Sequence, residues 1–240
     1  MSTFTYWYAI IARPAIASML SAAWQPGMYD LPLRLVVQGD LAGIVSDWPG
    51  KSVNRSSDSV DPALVLRHEQ VIEQIMADVA VLPMRFGTIL GGDERVQAVL
   101  AERQAILLAD LAHVAGCVEL GVHVLWDPPA PLVAAPAPVT AATPGAQYLL
   151  QRAAEEQARR AGQVQGRDLA GALDRALRIE AVDARPTILQ TDHLLLSPSY
   201  LVRREQTKAF LEAVEQLRDT YTQLAFLCSG PWPPYHFMSA

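Results

Sequence analysis

The chain has 240 residues, of which 51% are hydrophobic and 18% charged, and its formal net charge is −6. The length allows one large domain or two of ordinary size, with enough apolar residues for a sizeable core. The acidic balance and the lack of a basic cluster argue against nucleic-acid binding. No positive residue precedes the apolar run near the start, and prolines interrupt both long uncharged stretches. We therefore expect neither a signal peptide nor a membrane span.

The first 127 residues predict an α+β domain with the element order β-α-β-β-α-β-α-β. Strands are indicated by aromatic, β-branched or alternating residues, and helices by apolar residues spaced three and four apart. The predicted strands span residues 4–12, 33–38, 41–46, 81–90 and 117–126, and the predicted helices span residues 14–23, 62–79 and 93–114. The first six elements resemble a ferredoxin-like split βαβ layout, an antiparallel sheet with helices on one face. The last helix and strand are an addition.

Local residue patterns predict several details of this domain. Gly39 and Asp40 suit a two-residue hairpin turn between the second and third strands. Asp61, which precedes a proline, and Asp93 suit the N-cap positions of helices. Along Cys117–Trp126, one of the two alternating sets of residues is wholly apolar, which predicts a strand with one buried face.

A stretch rich in proline and alanine, residues 128–145, predicts an extended, semi-rigid linker. It separates a ferredoxin-like N-terminal domain, residues 1–127, from a smaller C-terminal α+β domain, residues 146–240, which ends in GPWPPYHF. A long helical stretch with three glycines opens the second domain, and these glycines either only weaken it or also break it. Its predicted elements are helices over 147–181 and 205–221 and strands over 187–190, 193–202 and 223–228.

The sequence contains no recognised motif for a cofactor or a metal ion. It has neither GxxxxGK[ST] nor GxGxxG after a strand, the two glycine patterns that bind phosphates. His113, Cys117 and His123 lack the paired spacing of zinc ligands. We therefore expect no cofactor, no metal site and no catalytic residue.

His68 is the residue for which a catalytic role competes most directly with a structural one. It lies on the apolar stripe of its helix with Val71 and Ile75, which favours a packed, hydrogen-bonded core histidine. His68 and Glu69 begin like the zinc motif HExxH, but the second histidine is missing. Catalytic residues can be distant in sequence, so an enzyme of unknown reaction with a cryptic site around His68 and Arg85 stays the alternative.

Residues 81–88, VLPMRFGT, place a proline and an arginine within an apolar strand. Pro83 should lie at the start of the strand or on a sheet edge, because it cannot donate to a neighbouring strand. Arg85 either points outward or pairs with a helix carboxylate such as Glu69 or Glu73, because an unpaired buried guanidinium is costly.

Residues 230–237, GPWPPYHF, cannot form a helix, because proline removes backbone donors and fixes φ. Their aromatic content is also unusual for a chain end, which is normally polar and frayed. Trp232 and Tyr235 either pack the tail onto the core or form a semi-rigid aromatic surface for an extended or apolar partner.

The chain resembles the gas vesicle protein L/F family through several stretches in the expected order. They are YWYAII at 6–11, VLPMRFGT at 81–88, TPGAQYLLQR at 143–152 and GPWPPYHF at 230–237. The pairing of VLPMRFGT with GPWPPYHF is the specific part of the resemblance. His236 departs from it, because a small polar residue is expected there.

The resemblance implies a cytoplasmic prokaryotic protein of gas vesicle assembly, with a modified ferredoxin-like N-terminal domain and a C-terminal α+β domain. Members are considered accessory components that interact with the small, very hydrophobic main shell protein. The expected partners are therefore that shell protein and other gas vesicle accessory proteins, without nucleic acid or membrane. The family implies no catalytic residues.

The unusual residue types in the two segments suggest a protein-interaction surface, to which we assign Arg85, Phe86, Trp232 and Tyr235. A second reading remains open, since ferredoxin-like sheets with exposed aromatics also bind RNA. The aromatic run at 6–8 would suit that role, but the acidic balance counts against it.

Overall fold

A computed structural model describes residues 4–16, 24–50, 61–127, 143–186 and 193–239. The protein is of the α+β class, with two antiparallel sheets and helices. It forms two compact units. The first consists of Met1–Leu120, Leu201–Arg204 and Gly230–Ala240, and the second of Gly121–Tyr200 and Glu205–Ser229. Within the described ranges, no helix is long and apolar enough to cross a membrane.

This grouping differs from the division proposed from sequence. Residues 128–142 of the predicted linker lie outside the described residues. The first boundary between the units falls after Leu120, inside a strand, and the C-terminal residues from Gly230 group with the first unit. The tail contacts residues that are far away in the sequence, and no local pattern records such contacts. Sequence patterns therefore could not predict that the tail belongs to the first unit.

The first unit is built on a sheet of five strands. They are β1 (Phe4–Ala12), β2 (Arg34–Gln38), β3 (Leu41–Trp48), β4 (Leu82–Pro83) and β5 (Ile89–Leu90). Their order is β2-β3-β1-β4, with β5 also paired to β1, and the paired neighbours are antiparallel. β3 therefore separates β1 from β2, as in a split βαβ arrangement. The predicted hairpin is confirmed, because Gln38 faces Leu41 and Gly39 has a φ of 57°.

β1 is buried on both faces, and a bulge rotates its side chains halfway along. Its register against β3 shifts between Trp7 and Ala9. Tyr6, Tyr8 and Ile11 belong to one core cluster, and Trp7 and Ile10 to another. A bulge places two successive residues on one side and so reverses the alternation beyond it.

Helices pack against β1 in both clusters. α1 (Pro62–Asp78) packs in the cluster of Tyr6, whereas α2 (Asp93–Glu102) and α3 (Gln104–Val114) pack in the cluster of Trp7. The added helices thus cover the face of the sheet opposite α1. A strand with helices on both sides reads as a continuous apolar run, as β1 does.

The predicted continuous strand over 81–90 is wrong. β4 and β5 are separated by a turn in which the backbone N–H of Thr88 donates to the oxygen of Arg85 at 3.1 Å. Gly87 in this turn has a φ of +81°, a conformation that favours glycine. Pro83 lies in β4, a two-residue strand at the end of the sheet, so its predicted edge position is confirmed.

The predicted helix over 93–114 is two helices, because the backbone breaks at Arg103, where φ is −110° and ψ is 13°. Asp93 does not cap it. Gly92 occupies the N-cap position, and Asp93 instead accepts from the hydroxyl of Thr5 at 2.8 Å. The cap predicted for α1 is confirmed, since Oδ1 of Asp61 accepts from the N–H two residues on at 2.9 Å.

The second sheet has the order β10-β6-β9-β7, with β8 also paired to β6. Its strands are β6 (Cys117–Trp126), β7 (Asp183–Arg185), β8 (Leu194–Leu196), β9 (Ser199–Arg203) and β10 (Leu224–Trp232). The predicted bounds of β6 are confirmed. Its predicted single buried face is wrong for the first six residues, all of which are buried, including Glu119.

The helices of the second unit are α4 (Pro144–Arg178) and α5 (Thr207–Thr220). α4 runs unbroken through its glycines, although these were expected to weaken it. At Gly166 the helix passes close to another element, because an added Cβ would lie 2.8 Å from the Trp126 ring. Glycine there permits a close approach that any side chain would prevent.

Other predicted elements have different bounds in the structure or lie outside the described residues. The strand predicted over 193–202 is divided into β8 and β9 around Pro198. The last strand was expected to end at Cys228, but β10 continues to Trp232. The predicted elements at 187–190 and most of 14–23 lie outside the described residues.

Candidate functional site

His68 on α1 is completely buried, and both of its ring nitrogens have hydrogen-bond partners. Nε2 lies 3.0 Å from the backbone oxygen of Met84, which can only accept, so Nε2 carries a hydrogen. Nδ1 then accepts from the hydroxyl of Tyr6 at 3.0 Å. Burial lowers the pKa of His68 to about 4, against the opposing effect of the bond to Met84. The predicted core histidine is confirmed.

Three aromatic rings surround this imidazole, and we name Tyr6, Tyr8, His68 and Phe86 the His68 cluster. Tyr8 stacks on His68 with ring centres 5.7 Å apart, and Phe86 meets it edge-on at 5.7 Å. The hydroxyl of Tyr6, which donates to His68, also accepts from the backbone N–H of Gly87 at 3.0 Å. Burial raises the pKa of Tyr6, so this hydroxyl stays protonated. The cluster therefore joins β1, α1 and the turn after β4.

The C-terminal tail packs against the same cluster. The hydroxyl of Tyr235 donates to Oε1 of Glu69 at 2.8 Å and lies 3.4 Å from Nε2 of His68. Burial raises the pKa of Glu69, while the bond from Tyr235 acts in the opposite direction. Phe237 is 1% exposed and lies within the core cluster of Trp7. The tail is thus part of the first unit's core.

Two buried carboxylates hold the rest of the tail. Glu119 accepts from the backbone N–H of His236 at 3.0 Å, and its other oxygen contacts Nδ1 of the same residue. Asp110 accepts from both the backbone N–H and the hydroxyl of Ser239, each at 2.8 Å. Arg103 donates to the backbone oxygen of Ser239 at 2.8 Å. Hydrogen bonds to charged acceptors are among the stronger ones in proteins.

The groups around His68 are poorly suited to catalysis or to metal binding. His68 presents no free nitrogen to a substrate, since both are bonded within the core. Arg85 is exposed, and among the described residues no ion pair joins it to Glu69 or Glu73. No three His, Cys, Asp or Glu side chains in the described ranges converge as metal ligands would. The arrangement holds the tail in place by packing and hydrogen bonding.

The family described as "Gas vesicle synthesis protein GvpL/GvpF" matches residues 4–239 of the chain. A relative, the Gas vesicle protein F of Streptomyces sp. (strain CB03234), is 33% identical over 249 residues, covering 99% of this chain and 100% of its own. The chain belongs to the gas vesicle protein L/F family. The two stretches that form the specific part of the resemblance, VLPMRFGT and GPWPPYHF, both contact His68.

Two solved structures of this family have the same fold. The crystal structure of the gas vesicle protein GvpF from Microcystis aeruginosa has a TM-score of 0.77 at 18% identity and covers 100% of both chains. The one from Anabaena sp. PCC7120 has a TM-score of 0.75 at 19% identity, covering 100% of this chain and 97% of that one. At these identities the likeness concerns the fold.

The four residues assigned from sequence to an interaction surface have different positions in this family member. Arg85 is exposed in the turn after β4, and Trp232, at the end of β10, is 43% exposed. Phe86 is partly buried in the His68 cluster, and Tyr235 is partly buried against Glu69. Two of the four thus face solvent, and two contribute to the internal packing.

Sequence reasoning missed the carboxylates that hold the tail. Glu119 was placed on the polar face of its strand, and Asp110 within an ordinary helix. Their tail partners lie 117 and 129 residues away in sequence. The one available signal was a carboxylate within a mostly apolar helix, since Asp110 is flanked by leucine and alanine. Both cysteines are free thiols, and Cys117 is buried whereas Cys228 is exposed.

Proposed function

We propose that this protein binds the small, very hydrophobic main shell protein of gas vesicles and keeps it from aggregating before the shell nucleates. The observation that carries the proposal is membership of a gas vesicle synthesis family over residues 4–239. In this proposal the complex forms in the cytoplasm and at the growing vesicle, and other gas vesicle accessory proteins join it there.

A physical argument supports this role. A subunit that borders a gas space must expose apolar surface, and in water such a surface drives association. An accessory protein can cover that surface with apolar side chains or by pairing with an exposed strand. The covered subunit then stays in solution until it is transferred to the shell.

Trp232 and Arg85 are the residues through which we propose direct contact, because both are exposed. Tryptophan and arginine are enriched at the centres of protein interfaces. Phe86 and Tyr235 contribute by holding these neighbours in position, since one lies in the His68 cluster and the other bonds Glu69.

Co-expression with the main shell protein of the same organism tests the proposal. The quantity to measure is the amount of shell protein that stays soluble and co-purifies. We expect the full chain to retain it, and Trp232→Ala to retain less. Tyr148→Ala is a matched control, because Tyr148 is an aromatic residue that is 60% exposed elsewhere. Absence of any complex with the full chain would exclude direct shell binding.

A further inference from the structure

β10 is an end strand of its sheet and has an open edge. It is bonded to β6 on one side, and no other described strand pairs with it. The part that belongs to the second unit is Leu224–Ser229, which we name the β10 edge. In a strand at the end of a sheet, the backbone N–H and C=O groups that point away from the sheet have no partner strand. They can therefore bond to a strand of another chain.

The β10 edge is apolar and uncharged. No Asp, Glu, Lys or Arg occurs between Asp219 and the end of the chain. Leu227 is 56% exposed, and Ala225 and Cys228 are also exposed. An exposed, uncharged edge with large apolar side chains promotes aggregation, and proteins normally protect such edges.

The other strands that are paired on one side carry that protection, and β5 and β8 carry it through shortness, with two and three residues. β2 contains Arg34, which pairs with Asp47 at 2.8 Å. β4 has two residues, one of them proline. β7 contains Asp183 and Arg185, which pair with each other at 3.3 Å. Charges, shortness and proline are the usual devices against edge pairing, and the β10 edge has none of them within Leu224–Ser229.

We propose that the β10 edge binds an uncharged, apolar β-strand of the shell protein by extending the sheet. This inference rests on the proposed function and adds the β10 edge to the contact residues proposed above. Its six residues match the length of an ordinary strand, about five or six residues. A charged partner strand would lose the hydration of its charges next to Leu227 and would find no opposite charge there. An apolar partner strand would bury apolar surface of both partners. The chemistry of the edge therefore selects an apolar partner.

Two lysines on the edge test the assignment. Ala225 and Leu227 are both exposed and two residues apart, so Ala225→Lys with Leu227→Lys places two charges on one face of the strand. We expect shell-protein affinity to fall about tenfold or more, because both ammonium groups lose hydration on binding. Leu211→Lys is the matched control, since Leu211 is 39% exposed on α5 of the same unit. It should bind as the unmodified chain does.

A second measurement requires no substitution in the edge. Hydrogen exchange of the amides in residues 224–229, with and without bound shell protein, should show protection on binding, because strand addition bonds the outer N–H groups. Alkylation of the exposed Cys228 should slow at the same time, while the buried Cys117 reacts slowly in both states.

The outcomes separate this inference from the function on which it rests. If the unmodified chain binds no shell protein, the proposed function fails. If it binds, but the double lysine variant binds equally well and the edge amides gain no protection, the function stands and the β10 edge is not its surface. If the unmodified chain is a dimer that the double variant converts to monomers, with shell binding unchanged, the edge joins two copies and the shell-strand assignment is wrong.

Discussion

At the scale of single residues, the hydrogen bonds of His68 define its role. The imidazole is neutral, donates to Met84 and accepts from Tyr6, so it joins a helix, a strand and a turn. A histidine on an apolar stripe was predicted to do this, and that prediction is confirmed. Its partners could not be predicted, because Tyr6 is 62 residues away in sequence.

The low pKa of His68 makes stability depend on pH in a defined direction. Between pH 6.5 and about 4 the unfolded chain protonates this residue while the folded chain keeps it neutral. The free energy of unfolding should therefore fall as pH falls through that window, by about 3 kcal/mol in total. His68→Gln lacks this dependence, so urea unfolding should show its stability deficit shrinking from pH 7 to pH 4. A constant deficit would mean that His68 titrates normally in the folded chain.

The hydroxyl of Tyr235 should contribute to stability independently of its ring. In Tyr235→Phe the ring remains and Glu69 loses its donor, so we expect a loss of about 1–2 kcal/mol in the free energy of unfolding. Tyr148→Phe, at an exposed position, should change stability by less than about 0.5 kcal/mol. Equal effects in the two variants, measured by denaturant unfolding, would contradict a structural role for the Tyr235 bond.

At the scale of elements, α4 contains glycines that lie four residues apart but have different surroundings. A Cβ at Gly162 would meet nothing within 4 Å, whereas one at Gly166 would lie 2.8 Å from the Trp126 ring. Glycine costs a helix interior about 1 kcal/mol relative to alanine. The sequence shows that both glycines carry this cost. It does not show that Gly166 allows the helix to approach Trp126 closely.

These two glycines give opposite predictions for the same substitution. Gly162→Ala should raise the free energy of unfolding by up to about 1 kcal/mol, because only helix propensity changes. Gly166→Ala should lower it by about 1–3 kcal/mol, because Trp126 must move. Thermal unfolding followed by circular dichroism compares them directly. Stabilisation by both substitutions would show that the helix does not require the close approach at Gly166.

At the scale of the whole molecule, the last residues of the chain complete the first unit. Phe237 is buried, and the carboxylates of Glu119 and Asp110 are satisfied by tail N–H and hydroxyl groups. The aromatic, proline-rich end is thus explained largely by packing, and Trp232 is its most exposed aromatic residue among those described.

Truncation before Gly230 should therefore destabilise the protein strongly. It removes a buried phenylalanine, a change of about 3–5 kcal/mol, and deprives two buried carboxylates of the donors that the tail supplies. Trp232→Ala should cost much less, since 43% of that side chain is exposed. The melting temperatures of the two variants test this difference. A truncated chain that melts with the full chain would show that the tail contributes nothing to the core.

The sequence by itself determined the features that depend on neighbouring residues. The strands β1 and β6, the Gly39-Asp40 hairpin, the Asp61 cap and the edge position of Pro83 follow from local periodicity and backbone chemistry. The family resemblance also came from the residues alone.

Only the tertiary structure decided which charged groups are buried and where the tail lies. Glu119 sits on a strand whose alternation predicts an exposed side chain, yet it is 4% exposed and accepts from the backbone N–H of His236. The open β10 edge likewise follows from strand order and not from the composition of the strand. The physical reason is the same in both cases: burial and pairing depend on contacts between residues far apart in the chain, which local sequence patterns do not record.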